Sequence, residues 1–377
     1  MSQRTPTAIF AASLMASLAL AACTSDLPTT SDPPIAASIR MDDGEEGGGK
    51  GLSVLSRNMY LGASLDPIIA EADPNAIPLR VWEAWQRVQA TNPEARVRAL
   101  AAEIVSAEPD LIGLQEVVLW RSQFPPDNYP GGDATPASTV VYDFLAQLLD
   151  GLRQHGVEYE VAVSGTSFDV EMIMVAPPES GEPPTDIRLT DRDVILVRKG
   201  VKFKNAQSGL FDAYLPVVVG GTPLAIRRGW TSVDVKHKGV WIRFANTHLE
   251  QEQFAVVQEP QGAELRELLR AARMPVILVG DLNSAADGHN TRTYEEFRSF
   301  GYADTWTSVL PGFTCCQSEL LGNERSEATE RIDYVLTLGP FESVDVRLIG
   351  SEPASVQRNV FWPSDHFGVL ARLKLLK

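Results

Sequence analysis

Gly280-Asp281-Leu282-Asn283 and Ser364-Asp365-His366 put two carboxylates, an amide and an imidazole beside apolar runs. Carboxylates gathered in one cleft push each other's pKa up, so the cluster is unstable by itself. A divalent cation removes that difficulty. An imidazole that titrates near neutral pH can then take a proton from water. Together these groups suit hydrolysis of a phosphate ester. Asn58, Glu116, His248 and Asp333 likewise stand close to one end of an apolar, strand-like run. Taken singly, each has an ordinary role open to it. Glu116 reads equally as a strand-end surface charge, Asn58 as a turn former, Asp333 as the ion-pair partner of Arg331, and His248 as a core histidine.

The runs that must position these residues alternate strand and helix from Gly51 onward, with no second linker. Leu52 to Arg57 reads as a strand. Pro78 to Ala90 and Pro93 to Ala107 read as helices, the second with Val97, Leu100, Ala101, Ile104 and Val105 on one face. Asp110 to Val117 is a buried strand holding Glu116, and Gln123 to Ala137 has Pro- and Gly-rich loop chemistry. Ser138 to Gln154 and Glu259 to Arg273 read as helices, as does Thr291 to Phe300. Strands are expected at 157–163, 194–197, 231–236, 240–249, 275–280, 331–338, 343–349 and 367–375. Side chains alternate along a strand, so Asn246 and His248 share a face. Asp281 and Asn283 share one if the strand reaches that far.

Six segments occur in one order: Ser56-Arg57-Asn58, Gly113-Leu114-Gln115-Glu116, Asn246-Thr247-His248-Leu249, Gly280-Asp281-Leu282-Asn283, Arg331-Ile332-Asp333-Tyr334 and Ser364-Asp365-His366. Each is weak alone. In sequence they resemble the endonuclease/exonuclease/phosphatase superfamily, which includes deoxyribonuclease I-like nucleases, inositol polyphosphate phosphatases and neutral sphingomyelinases. The resemblance covers nearly everything after Gly51. It implies an α/β fold, a four-layer α/β/β/α sandwich of two packed mixed β-sheets flanked by helices. It also implies roles. Glu116, Asn58 and Asp365 would hold Mg²⁺, a hard ion with oxygen ligands, with Mn²⁺ or Ca²⁺ as substitutes. His366 would be the general base, oriented by Asp333. Asp281 and Asn283 would place the water and the phosphoryl oxygens, and His248 would donate to an oxygen gaining charge.

The chain has 377 residues, is 44% hydrophobic and 22% charged, and carries a formal net charge of −16. Such a balance suits a globular enzyme but grips duplex DNA poorly, since Lys and Arg supply most non-specific affinity. A phospholipid head group or small phosphodiester is therefore favoured as substrate over nucleic acid. An extracellular nuclease is the alternative, followed by a non-catalytic surface binding module. A glycosidase using Glu116 and Asp281 leaves His366, Asp333, His248 and Asn283 without purpose. Asn246, His289 and Trp362 are candidate substrate contacts. Trp82, Trp85, Trp120 and Phe124 are aromatics that a lipid could meet, although Trp82 and Trp85 also suit a core. His155 and His237 receive no role, and Asp304 reads as structural. Nothing in the residues asks for a protein partner, and a monomer is expected.

Arg4 followed by the apolar run Ala8 to Ala22 is too short for a comfortable membrane span and reads as an export signal. Leu20-Ala21-Ala22-Cys23 resembles the lipobox of bacterial lipoproteins, which implies a signal peptide over 1–22, lipidation of Cys23 and tethering to a membrane. Thr24 after the cysteine favours the outer membrane in a Gram-negative cell. Residues 23–50, rich in Pro, Ser, Thr, Asp and Gly, form a flexible tether, and 51–377 the enzymatic domain. Cys315 and Cys316 are either a strained disulfide ring or two small buried side chains, with no activating histidine near in sequence.

Overall fold

The computed structural model describes residues 51–127, 135–356 and 359–376. The export segment, Cys23 and the tether lie outside the described residues. In chain order the first strands are β1 (Leu52–Asn58), β2 (Leu111–Gln115), β3 (Leu119–Gln123), β4 (Thr139–Asp143), β5 (Tyr159–Met174), β6 (Thr185–Arg198), β7 (Phe203–Leu210), β8 (Leu215–Val219) and β9 (Thr222–Ile226). They are followed by β10 (Gly229–His237), β11 (Val240–His248), β12 (Val276–Asp281), β13 (Ala303–Asp304), β14 (Asp333–Leu338), β15 (Phe341–Ile349), β16 (Ala354–Val356), β17 (Asn359–Phe361) and β18 (Gly368–Leu375). The helices are α1 (Asp66–Ile69), α2 (Ile77–Ala90), α3 (Pro93–Ala107), α4 (Phe144–Gln154), α5 (Ala255–Arg270) and α6 (Thr293–Ser299).

One sheet runs β15-β18-β1-β2-β6-β3-β4, with β5 also paired to β6; the other runs β13-β14-β12-β11-β10-β7. Period-two alternation builds three cores from these strands. Val54, Leu111, Ile277, Val279, Phe244 and Val335 face the interior between the sheets. Leu55, Ile112 and Leu114 point the other way and pack with Leu100 and Ile104 of α3 and Leu148 of α4. Ala245, Leu278 and Leu336 meet Leu265 and Leu269 of α5 and Phe297 of α6. The expected four-layer sandwich is the observed one. Gly113 shows how tightly the inner layer closes: a Cβ there would lie 2.3 Å from Val279 Cγ2 and 2.8 Å from Asn246 Oδ1.

The helix expected over Ser138 to Gln154 divides. Thr139-Val140-Val141-Tyr142 is β-branched and aromatic and joins β3 as β4. Asp143 then caps α4, its Oδ1 accepting from the amides of Leu145 (3.2 Å) and Ala146 (3.3 Å). β5 and β6 extend well beyond the short strands expected near 157–163 and 194–197. β3 and β5 bury too few positions in period two to announce themselves, and β6 is buried or half-buried along its whole length. Among the described residues, no helix is long and apolar enough to cross a membrane.

Candidate active site

The polar residues complete the inward-facing rows of both sheets. β1 and β2 run parallel, as do β11 and β12, while β14 and β18 run against them. The C-terminal ends of four strands and the N-terminal ends of two therefore converge. His248, Asp281 and Asp333 are direct neighbours across β11, β12 and β14. Gly280 permits this approach: its φ is +147°, and a Cβ would fall 2.1 Å from Thr247 O. From the other sheet, Asn58 Nδ2 donates to Glu116 Oε1 (3.2 Å) and across the cleft to Asp281 Oδ2 (3.3 Å). Glu116 and Asn283, one and two residues past their strands, have φ of 54° and 46°. This left-handed backbone re-aims their side chains and gathers at functional sites.

His366 is the chemical centre. Its Nδ1 is hydrogen-bonded to Asp333 Oδ2 at 2.8 Å. Nε2 faces the pocket, 3.8 Å from Asp281 Oδ2 and 4.0 Å from Asp365 Oδ1. Burial disfavours the imidazolium, but Asp333, Asp365 and Asp281 outweigh it and raise the His366 pKa well above its ordinary value. His248 is shifted the opposite way, first by burial and then by the cations Arg228 and His366, so it stands neutral. Burial, then Asp365 and Asp191, pushes Glu116 up to about 7. Burial, then Asp333, takes Asp281 to about 7, and burial raises Asp365. Among the described residues, no Lys or Arg forms an ion pair with Glu116, Asp281, Asp333 or Asp365.

That surplus of buried anionic oxygen fits a hard divalent cation, which takes oxygen ligands. Asn58 Oδ1 accepts from the Tyr60 amide at 2.9 Å, leaving a lone pair for an ion. Asp281, Asp333 and His366 also bring three ligand atoms together. Asp333 and His366 are already spent on each other there, so Glu116 and Asp365 are the better ligands.

The match to the endonuclease/exonuclease/phosphatase family model runs over residues 58–366, from Asn58 to His366. The chain belongs to this family. Its name spans nucleases and phosphatases, all hydrolases of phosphoric esters. A family protein from Bacteroides thetaiotaomicron shares 17% identity over 87% of this chain and 98% of its own, with a TM-score of 0.54. A mannosyl-6-phosphatase from B. thetaiotaomicron VPI-5482 shares 18% over 86% and 100%, with a TM-score of 0.52. A family protein from Beutenbergia cavernae DSM 12333 shares 22% over 86% and 72%, with a TM-score of 0.50. At these identities the likeness is one of fold. Comparison with curated proteins gave no match.

In this family member a pocket of about 400 Å³ is lined by Glu116, His248, Asp281, Asn283, Asp365 and His366. Asn58 and Asp333 stand directly behind them. Three expected substrate contacts lie elsewhere. Asn246 shares a face with His248 but sits two residues deeper between the sheets. It accepts from Gln115 Nε2 (2.6 Å) and donates to Leu114 O (3.0 Å). Trp362 is buried against Tyr60, Leu321 and Phe367, its Nε1 donating to Asn323 O at 2.8 Å. His289 is exposed and paired with Asp287 (2.6 Å) and Glu330 (3.0 Å), outside the pocket lining. Trp85 and Trp120 pack in the core, and Phe124 is exposed away from the pocket. Asp304 is structural as expected, bonded to Arg331 (2.6 Å) and to the Tyr294 hydroxyl (2.7 Å).

Several residues that build the site were not legible in the motifs. Arg228 lines the pocket and donates to His248 Nδ1 (3.2 Å) and Glu250 Oε1 (3.2 Å). Its clue is a pair of arginines at the start of an apolar strand, and Gly229 does pair with His248. Arg96 of α3 donates to Met59 O (2.9 Å), Tyr60 O (3.2 Å) and Pro363 O (3.2 Å), tying the loop after β1 to the one carrying Asp365. Arg57 donates to the His366 carbonyl and pairs with Glu103 of α3 at 3.1 Å. Cys315 and Cys316 are joined in a disulfide, and Cys316 Sγ lies 3.9 Å from His366 Nε2. A histidine thus adjoins them in space although none does in sequence.

Proposed function

We propose that this chain is an exported, membrane-tethered phosphoesterase that hydrolyses a phosphodiester with a divalent metal ion, Mg²⁺ in the first instance. One observation carries the reading: Glu116, Asp281 and Asp365 share a pocket with a His366–Asp333 pair, and no Lys or Arg among the described residues pairs with any of these carboxylates. Glu116 and Asp365 would hold the ion, with Asn58 against Glu116; when bound it would supply Lewis acidity toward the phosphoryl and leaving oxygens. His366 takes the proton of the attacking water at Nε2, because Nδ1 is committed to Asp333; a cation held by the carboxylates would offset the charge of Asp365 and Asp281 that otherwise keeps the imidazole protonated. Asp333 fixes that orientation and steadies the imidazolium once formed. Asn283 and Asp281 border the space where the water lies, and His248, held neutral beside the Arg228 cation, meets the phosphoryl oxygens. The export and tethering part of the reading is supported by the apolar run to Ala22 and by Cys23. The acidic chain favours a small or lipid phosphodiester over duplex DNA.

The test is hydrolysis of bis-p-nitrophenyl phosphate by the purified protein after EDTA treatment, with Mg²⁺, Mn²⁺ or Ca²⁺ added back. Activity is expected to vanish with EDTA and return with Mg²⁺ or Mn²⁺. His366→Ala is expected to lose at least ~10²-fold, the scale of a general base. A rate unchanged by EDTA and by His366→Ala would refute the proposal.

A further inference from the structure

We infer that the substrate carries a short apolar substituent on its phosphate, seated in a cavity beside the catalytic pocket; this rests on the phosphoesterase reading above. The cavity, of about 60 Å³, is lined by sixteen side chains, all of them apolar or aromatic. Five of them, Leu65, Ile69, Phe168, Leu189 and Ile226, also line the pocket that holds Glu116 and His366. The two spaces therefore share one wall, polar chemistry on one side and hydrocarbon on the other.

The remaining walls show how the space is built. Its roof includes the β8–β9 hairpin, which pairs with no other strand among the described residues. A lone two-stranded hairpin is marginal in water, so this one is held by the inward apolar contacts of Val217, Val219 and Leu224. Nothing in the strand pairing prevents it from settling closer and closing the gap, since an apolar void forfeits dispersion contacts and costs stability. The register of β5 against β6 shifts between Thr166 and Phe168, a bulge of the kind that re-aims side chains beside active sites. It sits where Phe168 enters the shared wall. An apolar space kept open against a phosphate pocket fits an amphiphilic ester. By the space one water needs, its volume suits an alkyl stretch of about four carbons.

The experiment compares p-nitrophenyl methyl, ethyl, propyl and butyl phosphate as substrates of the full chain without detergent. Each buried methylene is worth up to about fourfold, so kcat/KM is expected to rise at least ~10-fold from methyl to butyl. Leu224→Trp, which fills the cavity from the hairpin, is expected to abolish that rise. Butylphosphonate is expected to bind more tightly than methylphosphonate and to shift the emission of Trp85 and Trp120, two of the lining residues. Equal rates along the series, or equal affinities for the two phosphonates, would overturn the inference while the phosphoesterase reading stands. Turnover of no ester at all would count against the phosphoesterase reading, and the phosphonate affinities would still decide for or against the cavity.

Discussion

Glu116 is a carboxylate that the protein alone leaves unbalanced. Burial and its acidic neighbours take its pKa from an ordinary 4.5 up to about 7. A folded-state pKa above the unfolded one means that ionisation is resisted in the folded protein. The resulting penalty is absent below about pH 4.5, grows up to about 7 and is complete above it. Glu116→Gln removes the charge, so at pH 8 in EDTA the variant is expected to melt higher than wild type, by about 2 °C or more. Added Mg²⁺ should raise the melting temperature of wild type but not of the variant, and a differential scanning experiment checks both. A variant less stable than wild type in EDTA would show that Glu116 is satisfied without an ion. Glu116, His366 and Asp333 were legible in the sequence because each stands at one end of a recognisable apolar run. Asn246 was misread because period two fixes a face and not a depth. Trp362, next to a catalytic motif, turned inward because Tyr60, Leu321 and Phe367 offered it a core.

At the scale of elements, the site depends on two sheets whose inner faces close to within one side chain. Gly113 of β2 is a point of close approach, with Val279 and Asn246 filling the space where a Cβ would stand. Gly113→Val is expected to cost about 1–3 kcal/mol, the usual scale of overpacking, read as a lower urea midpoint with an unchanged m-value. It also pushes on Asn246, which bonds Gln115 in the residue before Glu116, so activity should fall with stability. An unchanged midpoint would mean that the sheets have slack between them. The central strands and α3 were legible because Pro93 opens a helix whose buried face repeats regularly. The β3–β4 pair, the outer lengths of β5 and β6 and the short β8–β9 hairpin were not: β3, β4 and β5 show no regular alternation, β6 is buried on both faces, and β8 and β9 are only five residues each. These same hairpins build the apolar cavity, so the specificity apparatus was the least visible part of the chain.

For the whole molecule, a sequence with a formal charge of −16 is proposed to work at a membrane that repels or ignores it, which makes a covalent tether the economical solution. Cys23→Ser in the full chain is expected to move the protein from the membrane pellet to the soluble fraction, leaving its specific activity on bis-p-nitrophenyl phosphate intact. Retention in the pellet would point to another anchor. The central claim is that Glu116 and Asp365, brought together from the end of β2 and the approach to β18, hold a catalytic cation beside His366. Anomalous scattering from crystals soaked in Mn²⁺ tests it most directly. The account predicts a peak touching Glu116 and Asp365 within the pocket that His366 lines. A peak only at the Glu252, His289 and Glu330 group near the surface, or none at all, would contradict it.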